Sequence, residues 1–212
     1  MKENLNKKIE IMDLTGNIVE SIDIPTELDL VINPHLIATV IRYQQSQVRS
    51  ATAWVKNRGD VKKSTRKLRQ QKGSGRSRIG NGASPHWRGG GVAFGPNGRQ
   101  YAFKMPKKQR KLALGMIVAD KLQKGKLIVV NDFSIDTIKT KACFQILKNF
   151  DSLNSLCVGG EKSKNFGLSV KNIERVSFLD NIGMNVFSIM KRDKLILDRA
   201  SLELLKEKLN GI

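Results

Sequence analysis

A stretch of 48 residues, from Asn57 to Lys104, cannot form a hydrophobic core of its own. Nine of the chain's 18 glycines lie between positions 73 and 98, and the only branched aliphatic residues are Val61, Leu68, Ile79 and Val92. So little apolar surface cannot offset the conformational entropy that ordering a chain costs. The sequence therefore predicts an extended, glycine-rich loop at 57–104, largely unstructured in the free protein and inserted in an otherwise ordinary fold.

The same region lacks acidic side chains. Between Asp60 and Asp120 the chain has 15 of its 38 basic residues and none of its 19 acidic ones, which accounts for most of the formal net charge of +19. Like charges repel one another and oppose compaction unless acids lie between them. Concentrated positive charge without acids indicates a polyanionic partner, and RNA or DNA is the first candidate.

The rest of the chain shows short apolar strands that alternate with helices. The predicted elements are strands at 8–13 and 18–24, helices at 34–54 and from 106, a strand at 127–130, a helix at 139–150, a strand at 155–158, a helix at 166–171, a strand at 176–179, a helix at 184–190, a strand at 194–197 and a helix at 199–209. This order is typical of a parallel sheet covered on both faces. We expect an α/β fold: a single three-layer domain over residues 1–212, whose mainly parallel, about four-stranded sheet is flanked by helices.

Several functional classes have no support in the sequence. No apolar run approaches the ~20 residues that a membrane span needs, and the first residues do not resemble an export signal. Cys143 and Cys157 fit small core residues, while His35 and His86 lack partners at metal-ligand spacing. Asp132 stands alone at the end of an apolar strand, where a cap or turn role is commoner than catalysis. We expect no metal, no cofactor and no enzymatic activity.

The composition of the loop favours nucleic-acid binding over a solvated linker. The arginine guanidinium group forms bidentate hydrogen bonds with phosphates and stacks on bases. Glycine lets the backbone come close to a partner, and aromatic rings can stack on bases. A plain linker would need neither the rings nor three successive glycines. The predicted RNA-binding residues are Lys62, Lys63, Arg66, Lys67, Arg69, Lys72, Arg76, Arg78, Trp87, Arg88, Gly89, Gly90, Gly91, Phe94, Arg99, Lys107, Lys108 and Arg110.

Several motifs resemble the bacterial type of the universal large-subunit ribosomal protein four family. Residues 71–78 read QKGSGRSR, similar to the family's QKGTGRAR, and residues 84–96 read SPHWRGGGVAFGP, similar to SPxWRGGGxxFGP. The segment at 105–108 resembles the family's LPKK helix start, and 126–130 resembles its first apolar strand. Shorter matches at 139–141 and 192–195 extend the likeness over essentially the whole chain.

The resemblance implies a structural protein of the large ribosomal subunit that binds large-subunit ribosomal RNA and supports assembly. It also implies that the loop runs inward between RNA helices and that its tip lines the peptide exit tunnel. The implied tip residues are Gln71, Lys72, Gly73, Gly75 and Arg76. The implied partners are ribosomal RNA, neighbouring large-subunit proteins and the nascent peptide, with no membrane. The location would be the cytoplasmic ribosome of a bacterium, or an organellar ribosome.

Two readings of other classes stay open at this stage. An RNA-binding regulator or RNA chaperone acting off the ribosome could carry the same basic loop. An α/β enzyme acting on an anionic substrate would need a cluster of titratable groups at the strand ends, and the sequence offers none.

Overall fold

The computed structural model describes residues 8–25, 28 and 30–209. These residues divide into two compact units. Ser46–Phe103 forms one, called here the basic unit, and the described residues on either side of it form the α/β unit. The basic unit overlaps the loop predicted at 57–104 but begins earlier. The interpretation of residues 1–212 as a single domain stays a prediction.

The α/β unit contains a six-stranded sheet in the order β2-β1-β3-β6-β4-β5. Its strands are β1 (Lys8–Met12), β2 (Ile18–Asp23), β3 (Leu127–Val130), β4 (Ser155–Gly159), β5 (Ser177–Asp180) and β6 (Lys194–Asp198). Its helices are α1 (Pro34–Val48), α2 (Lys107–Gln123), α3 (Thr140–Asn149), α4 (Lys164–Val170), α5 (Val186–Lys191) and α6 (Arg199–Leu209). All pairs of neighbouring strands are parallel except β1 with β2. The predicted α/β class and mainly parallel sheet are confirmed.

The sheet has six strands instead of about four because the N-terminal hairpin joins it. β1 pairs antiparallel with β2 and parallel with β3, where Ile11 lies opposite Val129. Ile9 and Ile11 are buried, whereas most of β2 is exposed. Two inward-facing isoleucines are enough to attach β1 to the covered sheet, and β2 then forms its edge.

Successive residues of the central strands point into two separate cores. Val129, Leu156 and Leu197 pack in a cluster with residues of α1, α2, α5 and α6, such as Ile117 and Leu202. The neighbouring Val130, Cys157 and Ile196 pack instead with residues of α3 and α4, such as Leu147 and Phe166. Alternation across a sheet with both faces covered is what a continuous apolar strand produces. The result is the predicted three-layer arrangement.

Two of the helices that differ from their predicted bounds do so for identifiable reasons. α1 ends at Val48 and not near Trp54, because Val48 is already exposed and the following Arg-Ser-Ala-Thr-Ala run has no apolar face. α5 begins at Val186, where the Asn185 side chain caps it by accepting a hydrogen bond from the Ser188 N–H at 2.8 Å.

The buried Lys121 ties α2 to the end of α5. Its Nζ donates hydrogen bonds to the carbonyl oxygens of Arg192 and Asp193, at 2.6 and 3.0 Å. Burial lowers the pKa of Lys121 below its ordinary value, because desolvation penalises the charged form. These two bonds satisfy carbonyls just beyond the C-terminus of a helix, where a cation is favoured.

Candidate nucleic-acid interface

The basic unit resembles a hairpin, in which two segments of the chain, called here its arms, run side by side. Beyond the end of α1 it has no helix or strand, and Trp54 and Asn97 form an isolated antiparallel bridge. Backbone hydrogen bonds cross between the arms from Val55 N to Pro96 O (3.1 Å), from Val92 N to Lys56 O (2.9 Å) and from Leu68 N to Gly80 O (3.0 Å). The Leu68–Gly80 bond is the outermost of the three, so residues 69–79 form the distal tip.

Residues 81–91 fold back on themselves as three successive turns, called here the turn cascade. Backbone N–H groups donate from Ser84 to Asn81, from Trp87 to Ser84 and from Gly90 to Trp87, and Gly91 N closes the cascade on Ala83 O at 2.9 Å. Ala83 and Ser84 are buried inside it. This segment therefore has a defined shape of its own, built almost entirely from backbone hydrogen bonds.

Two of the predicted RNA-binding glycines are packed against the unit's own backbone. A Cβ at Gly90 would lie 2.0 Å from the Ser84 carbonyl oxygen, and one at Gly91 would lie 2.4 Å from the Arg58 nitrogen. Both positions exclude a side chain, Gly90 because the turn cascade folds back on Ser84 and Gly91 because the two arms meet there. The sequence reasoning assigned them to close approach by phosphates, and the structure gives them an internal packing role.

The glycines of the distal tip lie in a different environment. Gly73 has φ +83° and Gly75 has φ +61°, and nothing lies within 4 Å of a Cβ built at either residue. They serve the left-handed turns that reverse the chain, since glycine adopts positive φ without steric cost. All five predicted tip residues are exposed: Gln71, Lys72, Gly73, Gly75 and Arg76.

The charge of the basic unit has no internal compensation. Ser46–Phe103 contains 13 basic residues and a single acid, Asp60. The Asp60 carboxylate accepts a hydrogen bond from the Asn57 N–H at 3.0 Å. All six ion pairs among the described residues lie in the α/β unit. Among the described residues, no carboxylate forms an ion pair with a cation of the basic unit, which leaves these cations available to a polyanion.

Most of the predicted RNA-binding cations are exposed, and some have intramolecular contacts. Lys63 Nζ donates to the Arg88 carbonyl oxygen at 2.9 Å, and Arg99 lies 5.7 Å from the centre of the Tyr101 ring. Arg69 and Arg110 are half-buried. Lys67 Nζ donates to the Gln71 side-chain oxygen. The remaining exposed cations of the set are Lys62, Arg66, Lys72, Arg76, Arg78, Arg88, Lys107 and Lys108.

Three predicted residues lie outside the basic unit. Lys107 and Lys108 begin α2 in the α/β unit, and Arg110 follows them there. Arg110 donates to the Tyr43 hydroxyl at 3.4 Å and lies 5.4 Å from the centre of that ring. The structure thus groups fifteen of the eighteen predicted residues in one unit and places these three on a helix of the other.

A concave basic cavity of about 380 Å³ lies beside the turn cascade. It is lined by Arg58, Thr65, Lys67, Gln71, Arg78, Ile79, Gly80, Asn81 and Ser84. Arg58 was missed in the sequence analysis because it precedes Asp60, which was taken as the border of the acid-free stretch. The cations Arg58, Lys67 and Arg78, together with polar side chains of the same lining, give a surface suited to a phosphate with its attached sugar or base.

The aromatic residues of the basic unit differ in how far they are anchored. Trp87 is 38% exposed, and its ring centre lies 5.8 Å from that of His86. Arg49, which the sequence analysis also missed, covers Tyr101, with its Cζ 3.7 Å from the centre of the ring. Phe94 is fully exposed, at 108% of the reference area. Exposed planar groups among unpaired cations are what single-stranded nucleic acid stacks upon.

The carboxyl ends of the strands, where an α/β enzyme would bind its substrate, are occupied by structural hydrogen bonds. Asp198 at the end of β6 accepts from the N–H groups of Gly160 and Ser201. The Ser201 hydroxyl in turn contacts the Asn181 side chain and the Val158 carbonyl. These polar groups satisfy one another and cap α6. Within the described ranges, no group of three His, Cys, Asp or Glu side chains could hold a metal ion.

Helices long and apolar enough to cross a membrane are absent from the part of the chain that the structure describes.

The chain is similar in sequence to a known family over most of its length. The model of the family described as ribosomal protein L4/L1 matches residues 22–208. A relative from Desulfatibacillum aliphaticivorans, named large ribosomal subunit protein uL4, is 38% identical over 203 residues, which is 95% of this chain and 98% of the relative. Proteins of the same name from Methylorubrum populi and Methylocella silvestris are 37% and 38% identical over 95% and 94% of this chain, and 98% of each relative is covered.

Proposed function

This chain belongs to the ribosomal protein L4/L1 family, and we propose that it is a structural constituent of the large ribosomal subunit. It binds large-subunit ribosomal RNA and neighbouring ribosomal proteins, and it catalyses no reaction. Relatives of bacterial origin favour the cytoplasmic ribosome of a bacterium as its location. The observation that carries RNA binding is the basic unit itself, which has 13 cations and one acid, and whose cations form no ion pair with any acid that the structure describes.

The basic unit supplies two kinds of contact. Its exposed cations neutralise phosphates and release counterions, which gives affinity without sequence preference. The turn cascade and the cavity beside it give shape, so that Trp87, Arg88 and the cavity cation Arg78 meet the RNA in a fixed arrangement. We assign Gly90 and Gly91 to holding this arrangement, because each packs on the unit's own backbone.

The distal tip, residues 69–79, lines the peptide exit tunnel in this proposal. Three properties support it. The tip lies beyond the outermost hydrogen bond between the arms, it reverses on two glycines with open space around them, and its side chains are nearly all exposed. Lys72 stands at the turn and is the residue expected to come nearest to the nascent peptide. A narrow tip of this kind fits between RNA helices because no side chain at Gly73 or Gly75 widens it.

Support for assembly follows from the same features. Ribosomal RNA helices repel one another through their phosphates, and a cationic segment placed between them removes that repulsion. A segment with its own turns also loses less conformational entropy on binding than a fully unstructured one would.

Sedimentation of the tagged chain from bacterial lysate tests the proposal. We expect it to travel with large subunits and to stay with them through a high-salt wash. An extraribosomal regulator would remain at the top of the gradient, and that result would overturn the ribosomal assignment. The variant Arg58→Glu with Arg78→Glu should reduce occupancy of the subunit. The variant Lys162→Glu with Lys171→Glu, which changes the net charge equally at exposed sites of the α/β unit, should reduce it less.

A further inference from the structure

Phe94 combines full exposure with an unfavourable backbone conformation. Its φ of +53° lies in the left-handed region, which a bulky side chain rarely adopts. Its side chain is 108% exposed, so no packing of the ring within the protein compensates. Strain of this kind persists only where the surrounding structure imposes it, and such residues cluster at functional sites.

The surrounding hydrogen bonds show how the conformation is imposed. Val92 N bonds to Lys56 O and Val55 N bonds to Pro96 O, so two adjacent residues of one arm face positions four apart on the other. Residues 93–95 must therefore bulge outward between these bonds. Phe94 is the apex of the bulge.

Gly95 packs the bulge closely against Val55 of the opposite arm. A Cβ built at Gly95 would lie 2.4 Å from Val55 Cγ2 and 3.0 Å from Val92 Cγ1. The chain at this point is pressed against its own valines, which leaves the Phe94 side chain no direction except outward. Trp54 and Trp87, by contrast, each have a close neighbour within the unit, at Gly98 and His86 respectively.

The charge of the basic unit indicates which class of molecule contacts the Phe94 ring. The ring stands in a unit with 13 cations and one acid, so the molecule that covers this surface is a polyanion. The apolar, planar faces that a polyanion can offer to a phenyl ring are nucleobases. A hydrophobic pocket on another protein would need its own acidic rim to approach this surface, and nothing on this chain requires one.

We propose that Phe94 is a wedge that inserts against or between unstacked bases of ribosomal RNA, and that the strained bulge at residues 93–95 aims it. This rests on the proposed function and deepens it by naming one residue that reads unpaired bases rather than phosphate charge. The strain then has a use, since a ring already held outward needs no rearrangement of the loop when RNA arrives.

The test measures binding of the full-length chain to a refolded transcript of the whole large-subunit ribosomal RNA at several salt concentrations. Phe94→Ala and Phe94→Gly should each lower affinity roughly 5- to 150-fold, the effect of losing one base–aromatic stack. The slope of log affinity against log salt should not change, because no phosphate contact is lost. Phe94→Trp should bind at least as well as the wild-type chain. Phe144→Ala, an exposed phenylalanine of α3, is the matched control and should have no effect.

Three results would overturn the inference. The first is wild-type affinity in Phe94→Ala and Phe94→Gly. The second is a changed slope of log affinity against log salt, or faster exchange of the Val55 and Val92 amides in Phe94→Gly. Glycine adopts a positive φ without strain, so faster exchange there would mean that the ring itself stabilises the fold of the bulge. The third is unchanged binding to naked RNA together with reduced incorporation into subunits, which would make the partner a protein. If the wild-type chain itself shows no salt-dependent RNA binding, the proposed function fails instead, and the two failures are thereby distinguished.

Discussion

The glycines of the basic unit serve two different structural purposes. Gly73 and Gly75 provide left-handed turns in open space, whereas Gly90 and Gly91 provide the absence of a side chain where two backbones meet. Composition alone counts all four as flexible residues. Only the first pair acts through conformational freedom, and the second pair acts through close packing.

Gly91→Ala should therefore disrupt the turn cascade. The added methyl group would lie 2.4 to 2.7 Å from backbone atoms of Asn57 and Arg58, and backbone atoms cannot rotate away as a flexible side chain can. We expect faster amide exchange at positions 91 and 92, whose N–H groups bond to the carbonyl oxygens of Ala83 and Lys56. RNA binding should be roughly 10-fold weaker, for a cost of about 1–2 kcal/mol. Gly59→Ala is the control, because nothing lies within 4 Å of its added Cβ. Equal behaviour of the two variants would contradict the packing role.

Cys157 should be inert in the native protein. It is fully buried in β4, and desolvation by burial raises its pKa to about 12, from 9.0. In Cys143→Ala, where Cys157 is the sole thiol, alkylation should stay negligible from pH 8 to 10 until denaturant is added, because only the thiolate reacts. The folded state holds this proton more tightly than the unfolded state, so its contribution to stability is complete below pH 9 and is lost as pH rises towards 12. Rapid native labelling at pH 8 would show that the core opens.

At the scale of elements, the two units are stabilised by different interactions. The sheet and its helices bury large aliphatic side chains on both faces, such as Leu156 on one face and Ile196 on the other. The basic unit has only Ala83 as a buried apolar side chain, and its order rests on backbone hydrogen bonds and on the absence of side chains at key glycines. Bonds exposed to water contribute little net stability. The basic unit should therefore open locally far more often than the α/β unit.

Limited trypsin digestion of the free protein tests this difference. Cleavage should come first at Arg69, Lys72, Arg76 and Arg78 of the distal tip, beyond the outermost hydrogen bond between the arms. Lys56 and Arg88, next to bonds that close the unit, should be cut later, and the strands and helices of the α/β unit last. Bound RNA should protect the tip. A basic unit as resistant as the sheet would mean that it folds autonomously, against the prediction that 57–104 is largely unstructured in the free protein.

For the whole molecule, the distal tip and the turn cascade should have separable roles in the ribosome. Lys72 is exposed at the tip, so Lys72→Glu should leave assembly nearly intact. It should alter passage of nascent peptides through the tunnel, or the binding there of a small molecule such as a macrolide. Trp87→Ala with Arg88→Ala removes a stacking ring, worth about 1–3 kcal/mol, and a charge-assisted contact, and should impair incorporation.

Subunit profiles and drug-binding assays on both variants measure these outcomes. Ile182→Ala, an exposed aliphatic residue of the α/β unit, serves as a control for handling and expression. Blocked assembly in Lys72→Glu, with normal assembly of the double variant, would reverse the assignment of tip and cascade.

Much of this protein follows from its sequence by itself. Apolar runs such as Leu127–Val130 predict buried parallel strands, because a short run of consecutive apolar residues suits a strand whose two faces are both covered. The spacing of Leu202, Leu205 and Leu209 predicts the last helix and its buried face, and its bounds match Arg199–Leu209. The acid-free stretch predicts a polyanionic partner, since charge counts do not depend on folding. The family is likewise carried by motifs in the chain.

Only the tertiary structure decided which residues share a surface and which serve the fold. It attached the N-terminal hairpin to the sheet, grouped Arg58 with Lys67 and Arg78 around one cavity, and placed Arg110 against Tyr43. Close approach between distant backbones, as at Gly91, leaves no periodic signal in a sequence, because it depends on where two arms meet. The strained, outward Phe94 is of the same kind. Its conformation is set by hydrogen bonds to residues some forty positions away, and no local pattern could have shown it.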